Sequence, residues 1–217
     1  MTAASERALQ RVRDLSTLEW YVIPLLAVVF YVWVREIKEA RVTGTWDAVF
    51  AGLTLFGVDF INETVNGWIL HVTQRSALWT VTGPSALVTM VGWNVEIMFM
   101  FALAGIVYHH SLGPDRGARI LGLPEPWFWA VVYSAICVLV EVILNRAGIF
   151  VWEYRFWNGT AEGLPLIFLF GYFHFYVAVI LVLRFRSNRA RAAAVAAIYS
   201  VAIVANVVAL GVLGWRY

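Results

Sequence analysis

Cysteine occurs once in the 217 residues, at Cys137, and lysine once, at Lys38. A single cysteine excludes an intrachain disulfide framework and a cysteine-based metal cluster. The fifteen arginines beside one lysine are a compositional bias with no mechanistic reading. Charge of either sign is scarce: Asp, Glu, Lys and Arg make up 14% of the chain, where a soluble domain carries about a quarter. The formal net charge of +2 points to no particular partner, and no nucleic-acid partner is expected. Also missing are a P-loop, a dinucleotide fingerprint, an HExxH helix and a nucleophile elbow, so no cofactor is expected. There is no internal repeat, low-complexity tract or linker, and residues 1–217 read as one domain.

What the chain has instead is apolar surface. Hydrophobic residues reach 61%, aromatics 16%, and the mean hydropathy is +0.74. No water-soluble fold of this length hides that much. A membrane-crossing helix needs about 20 mostly apolar residues, and six segments qualify, at about 17–37, 46–72, 86–110, 126–150, 164–184 and 192–215. The expected fold is all-α, a polytopic membrane bundle of about six transmembrane helices. Pro84, Pro126 and Pro165 fall near segment starts, where proline is tolerated. Gly44, Gly83, Gly113 and Gly163 punctuate the loops. Trp20, Trp46, Trp79, Trp127, Trp157 and Trp215 lie near segment ends, as in an aromatic belt.

The stretch Ser5–Ser16 is charged and helix-prone, and no small-residue cleavage site follows the first apolar segment, so no cleavable signal peptide is expected. The expected location is the inner membrane of a bacterium, among membrane lipids, with oligomerisation left open. The loops after segments one, three and five carry Arg35, Lys38, Arg41, Arg116, Arg119, Arg184, Arg186, Arg189 and Arg191. Arg7, Arg11, Arg13, Arg75, Arg155 and Arg216 lie on the other side. The positive-inside rule then places both termini outside the cytoplasm by a narrow margin.

Polar residues interrupt the apolar segments. Segment two reads GVDFINETVNGW, with Asp59 and Glu63 four apart on one face and Asn62 and Asn66 beside them. Segment three carries Asn94 and Glu96. Segment four carries Glu141 and Asn145, followed by Arg146, and segment five carries Tyr172 and His174. Counted from one side at 1.5 Å per residue, Glu63, Glu96, Glu141 and His174 all fall roughly 13–16 Å deep, so a bundle can gather them into one polar layer. A carboxylate at the bilayer centre costs roughly 2.5–3.5 kcal/mol on insertion scales. Burial favours the neutral form of a carboxyl group, which leaves it ready to donate a proton.

Several acids in a dry, aromatic cavity suit general acid catalysis on an apolar substrate. Trp68, Trp93, Tyr133, Tyr172 and Tyr176 offer π faces to a developing carbocation, and Asn62, Asn66, Asn94 and Asn145 offer polar contacts. The expected catalytic set is Asp59, Glu63, Glu96, Glu141 and His174, without a metal. The bland alternative makes the asparagines interhelical glue, His174 a packing residue and the stretch Trp152–Trp157 an interfacial anchor or the roof of a cavity.

Asp59-Phe-Ile-Asn-Glu63 resembles the second helix of the integral membrane terpene cyclases. With Gly67-Trp68 following and Glu96 on the next segment, it is also similar to the sterol-isomerase (emopamil-binding) architecture. Glu141, Gly148, Trp152, Tyr154 and the loop Gly163-Leu164-Pro165 resemble the carotenoid hydratases and small lycopene cyclases. These resemblances cover segments two to five. They depart at the last segment, which offers Asn206 and no aspartate, at Asp59, where sterol isomerases carry histidine, and after Pro165, where the Pro-x-Glu motif of lycopene cyclases is absent. What they imply in common is protonation of an isoprenoid double bond or epoxide within the membrane, leading to cyclisation, isomerisation or hydration. The competing expectations are a small proton-coupled transporter, a lipid-binding membrane subunit, and a carboxylate-rich diiron site, for which the usual Glu-x-x-His pair is missing.

Overall fold

The apolar segments become helices whose ends are set by local chemistry. In the computed structural model, which describes residues 1–217 apart from Arg116, α1 is the amphipathic Ala3–Arg11. Helix α2, Val22–Thr43, stops at Gly44, whose φ of 78° only glycine adopts freely. Helix α3 spans Asp47–Thr73. Helix α4 is Val95–His110, and its Asn94 cap accepts the Ile97 N–H at 2.9 Å. Helix α5, Glu125–Arg146, starts with proline in its first turn. Helix α6 runs Gly163–Leu183 and contains a π-helical stretch, Ile167–Phe173. Helix α7, Asn188–Val212, begins under the Ser187 cap.

Four of these, α3, α5, α6 and α7, are long and apolar enough to cross a membrane. The other two expected spans differ. In α2 the C-terminal half carries Arg35, Glu36, Lys38, Glu39 and Arg41, which shortens its apolar stretch. The third expected span does not start at 86. Helix α4 has 16 residues, about 24 Å, short of a hydrocarbon core of about 30 Å. The chain before it is built of strands: β1 Trp79–Val81, β2 Val88–Met90 and β3 Trp93–Asn94. A short apolar run reads alike as a strand or as a buried helix turn, and here the valine- and threonine-rich run pairs. Strand β2 pairs with β3, and β1 pairs antiparallel with β6, Phe150–Trp152, in the register Trp79↔Trp152 and Val81↔Phe150. A fourth expected boundary also moves: α5 ends at Arg146 rather than 150, because Gly148 turns with φ 71° and hands the chain to β6. A separate hairpin, β4 Arg119–Ile120 with β5 Leu123–Pro124, precedes α5. Arg116, counted above among the loop cations, lies outside the described residues.

Helix α3 is the hub and packs on α4, α6 and α7. It approaches α4 closely enough that a Cβ on Gly105 would strike the Ala51 carbonyl; two small-residue faces let the backbones meet. The core between these helices holds Leu55, Phe101, Tyr108, Phe175, Tyr176 and Val179. At one end Arg191 pairs with Asp47 and donates to the Leu183 and Phe185 carbonyls, fixing α7 to α3 and α6. At the other end α1 straps the strands: Arg11 donates to the Gly83 and Ser85 carbonyls, and the Thr2 hydroxyl to Glu153 at 2.6 Å. The basic N-terminal stretch is thus docked on the strand layer by its Ala4, Ser5 and Ala8 face.

Candidate active site: three indole-held carboxyls on an apolar cavity

The strand layer folds back along α3. Asn66, fully buried, accepts from the Leu78 N–H at 2.8 Å and donates to the Trp79 carbonyl at 2.9 Å. That contact holds β1 beside the C-terminal third of α3. In consequence three indoles reach three acids. Trp79 Nε1 donates to Glu63 at 2.8 Å, Trp93 Nε1 to Asp59 at 2.9 Å, and Trp152 Nε1 to Glu141 at 2.7 Å. An indole N–H is a donor only, so it fixes one carboxyl oxygen of each acid. Trp79 and Trp152 are ladder partners, so one pair of strands orients both glutamates. The acids are buried, with Asp59 2%, Glu63 3% and Glu141 5% exposed. Among the described residues the second oxygen of Glu63 has no hydrogen-bond partner.

All three acids line one cavity of about 410 Å³ enclosed by α3, α4, α5 and α6. Its walls are otherwise aromatic and aliphatic, including Phe101, Tyr133, Tyr172 and Tyr176, and among the described residues no Lys, Arg or His lines it. The π-helical stretch of α6 brings Gly171 and Tyr172 to the wall; such wide turns recur at functional sites. Tyr172 and Glu141 line the same cavity. Met100 and Val107 of α4 and Ile136 and Val140 of α5 line the cavity yet stay 41–49% exposed. The cavity therefore opens sideways, between α4 and α5, through an apolar mouth. Beyond the mouth the two helices are tied by the Tyr108 hydroxyl on the Pro126 carbonyl and by Ser111 with Tyr133.

Of the residues expected at the site, Asp59, Glu63, Glu141, Asn62, Tyr133, Tyr172 and Tyr176 line this cavity. The others sit elsewhere. Glu96, in the first turn of α4, accepts from the Tyr21 hydroxyl and, at 2.7 Å, from the Ala86 N–H. His174 turns one ring nitrogen to the Leu169 carbonyl at 3.3 Å and packs on Phe175. Trp68 lies edge-on to Trp215. Trp93 stands behind Asp59, stacked on Phe60. Asn66, Asn94 and Asn145 bond neighbouring backbone, Asn145 reaching the Phe150 carbonyl at 3.0 Å. They fasten the strand layer and do not bridge helices. Among the described residues no three of His, Cys, Asp and Glu are grouped as a metal site requires.

The expected site set left out Trp79, Trp152, Trp157 and Phe150. Trp79 read as interfacial and the stretch Trp152–Trp157 as an interfacial anchor or a cavity roof; Trp79 and Trp157 stack on each other and, with Phe150, line the cavity. The available signal was the pair of short runs WTV and FVW, each bounded by turn residues.

The fold and site together define a polytopic helical membrane protein with an acid-bearing internal cavity. Residues 2–211 match an uncharacterized membrane protein family, and the chain belongs to it. An uncharacterized protein of the archaeon Archaeoglobus fulgidus is 43% identical over 176 residues, 81% of each chain, so likeness to this protein extends to the archaea. No solved structure matches the chain.

Proposed function

We propose that this protein is a membrane-embedded acid–base enzyme acting on an apolar, isoprenoid-type lipid. The observation that carries the reading is the set of three carboxyls, each held by one indole N–H, on a cavity with an apolar mouth between α4 and α5 and, among the described residues, no cation in its wall. The proposed reaction has four parts. The substrate enters sideways from the bilayer. A carboxylic acid, best represented by Glu63 with its unpartnered oxygen, transfers its proton to a carbon–carbon double bond or an epoxide oxygen. The positive charge then sits against the faces of Tyr133, Tyr172 and Tyr176. A second carboxylate, Glu141 or Asp59, removes a proton from a neighbouring carbon to give an isomerised or cyclised alkene, or takes one proton from a water as its oxygen adds to the cation to give an alcohol. Paired acids in different surroundings are suited to opposite roles.

The test is identification by mass spectrometry of the lipid that co-purifies with the protein, followed by turnover of that lipid in vesicles. Glu63→Gln and Glu141→Gln keep the fold and lose the product. Unaltered turnover in both variants sinks the proposal. Retention of the lipid without any turnover by the wild type makes the protein a lipid-binding subunit, and proton flux without product makes it a carrier.

A further inference from the structure

A second cavity lies apart from the acids, at the end of the bundle where α4, α5 and α6 meet the β4–β5 hairpin. It has a volume of about 240 Å³ and is walled by Tyr108, Pro124, Trp127, Ile180 and Leu183, with Arg184 at its rim. Tyr108 is fully buried and tied to Pro126, so the inner wall is fixed. Arg184 is exposed and has no ion-pair partner among the described residues. Glu125, the acid closest in sequence to the groove wall, is engaged with the Gly113 N–H at 3.1 Å. Arg186 follows on the same exposed turn, Arg189 lies in the first turn of α7, and Arg119 stands on the adjoining hairpin. The hairpin tip presents Leu121, 90% exposed, and Leu123, 45% exposed, beside Arg119. Apolar tips beside cations are what a polypeptide offers to the headgroup boundary of a bilayer.

We infer that this groove is a site for one anionic phospholipid, with an acyl chain along Trp127, Ile180 and Leu183 and the phosphate against Arg184. Charge complementarity selects this occupant: the groove is apolar for the length of the chain and ends at Arg184, a cation with no ion-pair partner among the described residues. A zwitterionic lipid fills the groove equally well and gains less from Arg184. Such a lipid would brace α5 against α6, the two helices that carry Glu141 and Tyr172, but its binding is independent of what the acids do.

The measurement is native mass spectrometry of the full chain titrated with phosphatidylglycerol or phosphatidylcholine of identical acyl chains. Wild type prefers phosphatidylglycerol. Arg184→Gln reduces that preference roughly fivefold, as expected for one basic residue at a charged lipid surface, while Arg186→Gln leaves it within about twofold. Trp127→Ala weakens both lipids alike, since it removes contact with the chain and no charge. Equal affinity of wild type for the two lipids overturns the inference. So does an equal loss in the Arg184 and Arg186 variants, which is diffuse surface attraction, or unchanged binding to Trp127→Ala, which puts the lipid elsewhere. Both arginines are exposed, so neither variant endangers the fold.

Discussion

Replacing Trp79 by Phe removes the indole N–H that holds Glu63, and also part of a ring that is 7% exposed. The two losses must be separated. The packing loss is common to any truncation of a buried tryptophan; the hydrogen-bond loss depends on Glu63 being there. A double-mutant cycle with Glu63→Met, which keeps the side-chain length and removes the acceptor, cancels the packing term. Hydrogen bonds between membrane helices average about 0.6 kcal/mol and reach about 1.7 kcal/mol by this method. The Trp79–Glu63 bond belongs near the upper end, because it is 2.8 Å long, its acceptor is 3% exposed and the other oxygen has no partner to fall back on. The expected coupling is about 1–1.5 kcal/mol. For a chain of 217 residues that is about 2–6 °C of melting temperature. The assay is reversible unfolding of the four proteins in mixed micelles at one detergent concentration. A coupling below about 0.3 kcal/mol, the scatter of independent sites, would refute the claim that the indole holds the acid.

Other consequences follow from single contacts. Gly105→Leu drives a side chain into the Ala51 carbonyl and should cost about 3 kcal/mol or prevent folding, as overpacking does, visible as lost monodisperse protein on size exclusion; full stability would show that α3 and α4 do not meet there. Arg191→Ala removes the ion pair with Asp47 and the bonds to the Leu183 and Phe185 carbonyls, with an expected loss of about 2–4 kcal/mol by unfolding titration. Cys137 lines the acid cavity, so a neutral maleimide should label it from within the bilayer while a sulfonate-bearing thiol reagent does not, and a bound lipid should protect it; equal labelling by both reagents would mean that water fills the cavity. Trp152→Phe should lower turnover more than Trp157→Phe, because only the former indole donates to an acid, Glu141 at 2.7 Å; equal activities would remove Trp152 from any positioning role.

The cavity itself was legible in part. Spacing alone put Asp59 and Glu63 on one face of a helix, and both reach the same cavity. Glu141 joins them although it lies closer to the end of its helix than the segment boundaries implied, since α5 stops at Arg146. The β1–β6 ladder makes up the difference by setting Trp79 opposite Trp152. Glu96 matched the others in depth only for a segment starting at 86; α4 begins at Val95, so Glu96 stands in its first turn and its carboxyl faces Tyr21 and Ala86. His174 failed for another reason: depth does not fix direction around a helix axis, and its ring turns to the Leu169 carbonyl.

By itself, then, the sequence determined that the chain is a helical membrane protein with costly acids among its apolar segments, because hydropathy and helical spacing are local properties. Which apolar run is helix and which is strand was decided by tertiary structure. Residues 79–94 satisfy their backbone groups by pairing with one another, with Phe150–Trp152 and with Asn66, partners that no local pattern announces. The same long-range pairing decided that Trp79 and Trp152, suited to a membrane interface, instead point inward and, like Trp93, each hold a carboxyl group. Two of those bonds, Trp93 to Asp59 and Trp79 to Glu63, join residues separated by 34 and 16 positions. Contacts at such separations exist only once α3, α5 and the strand layer have packed.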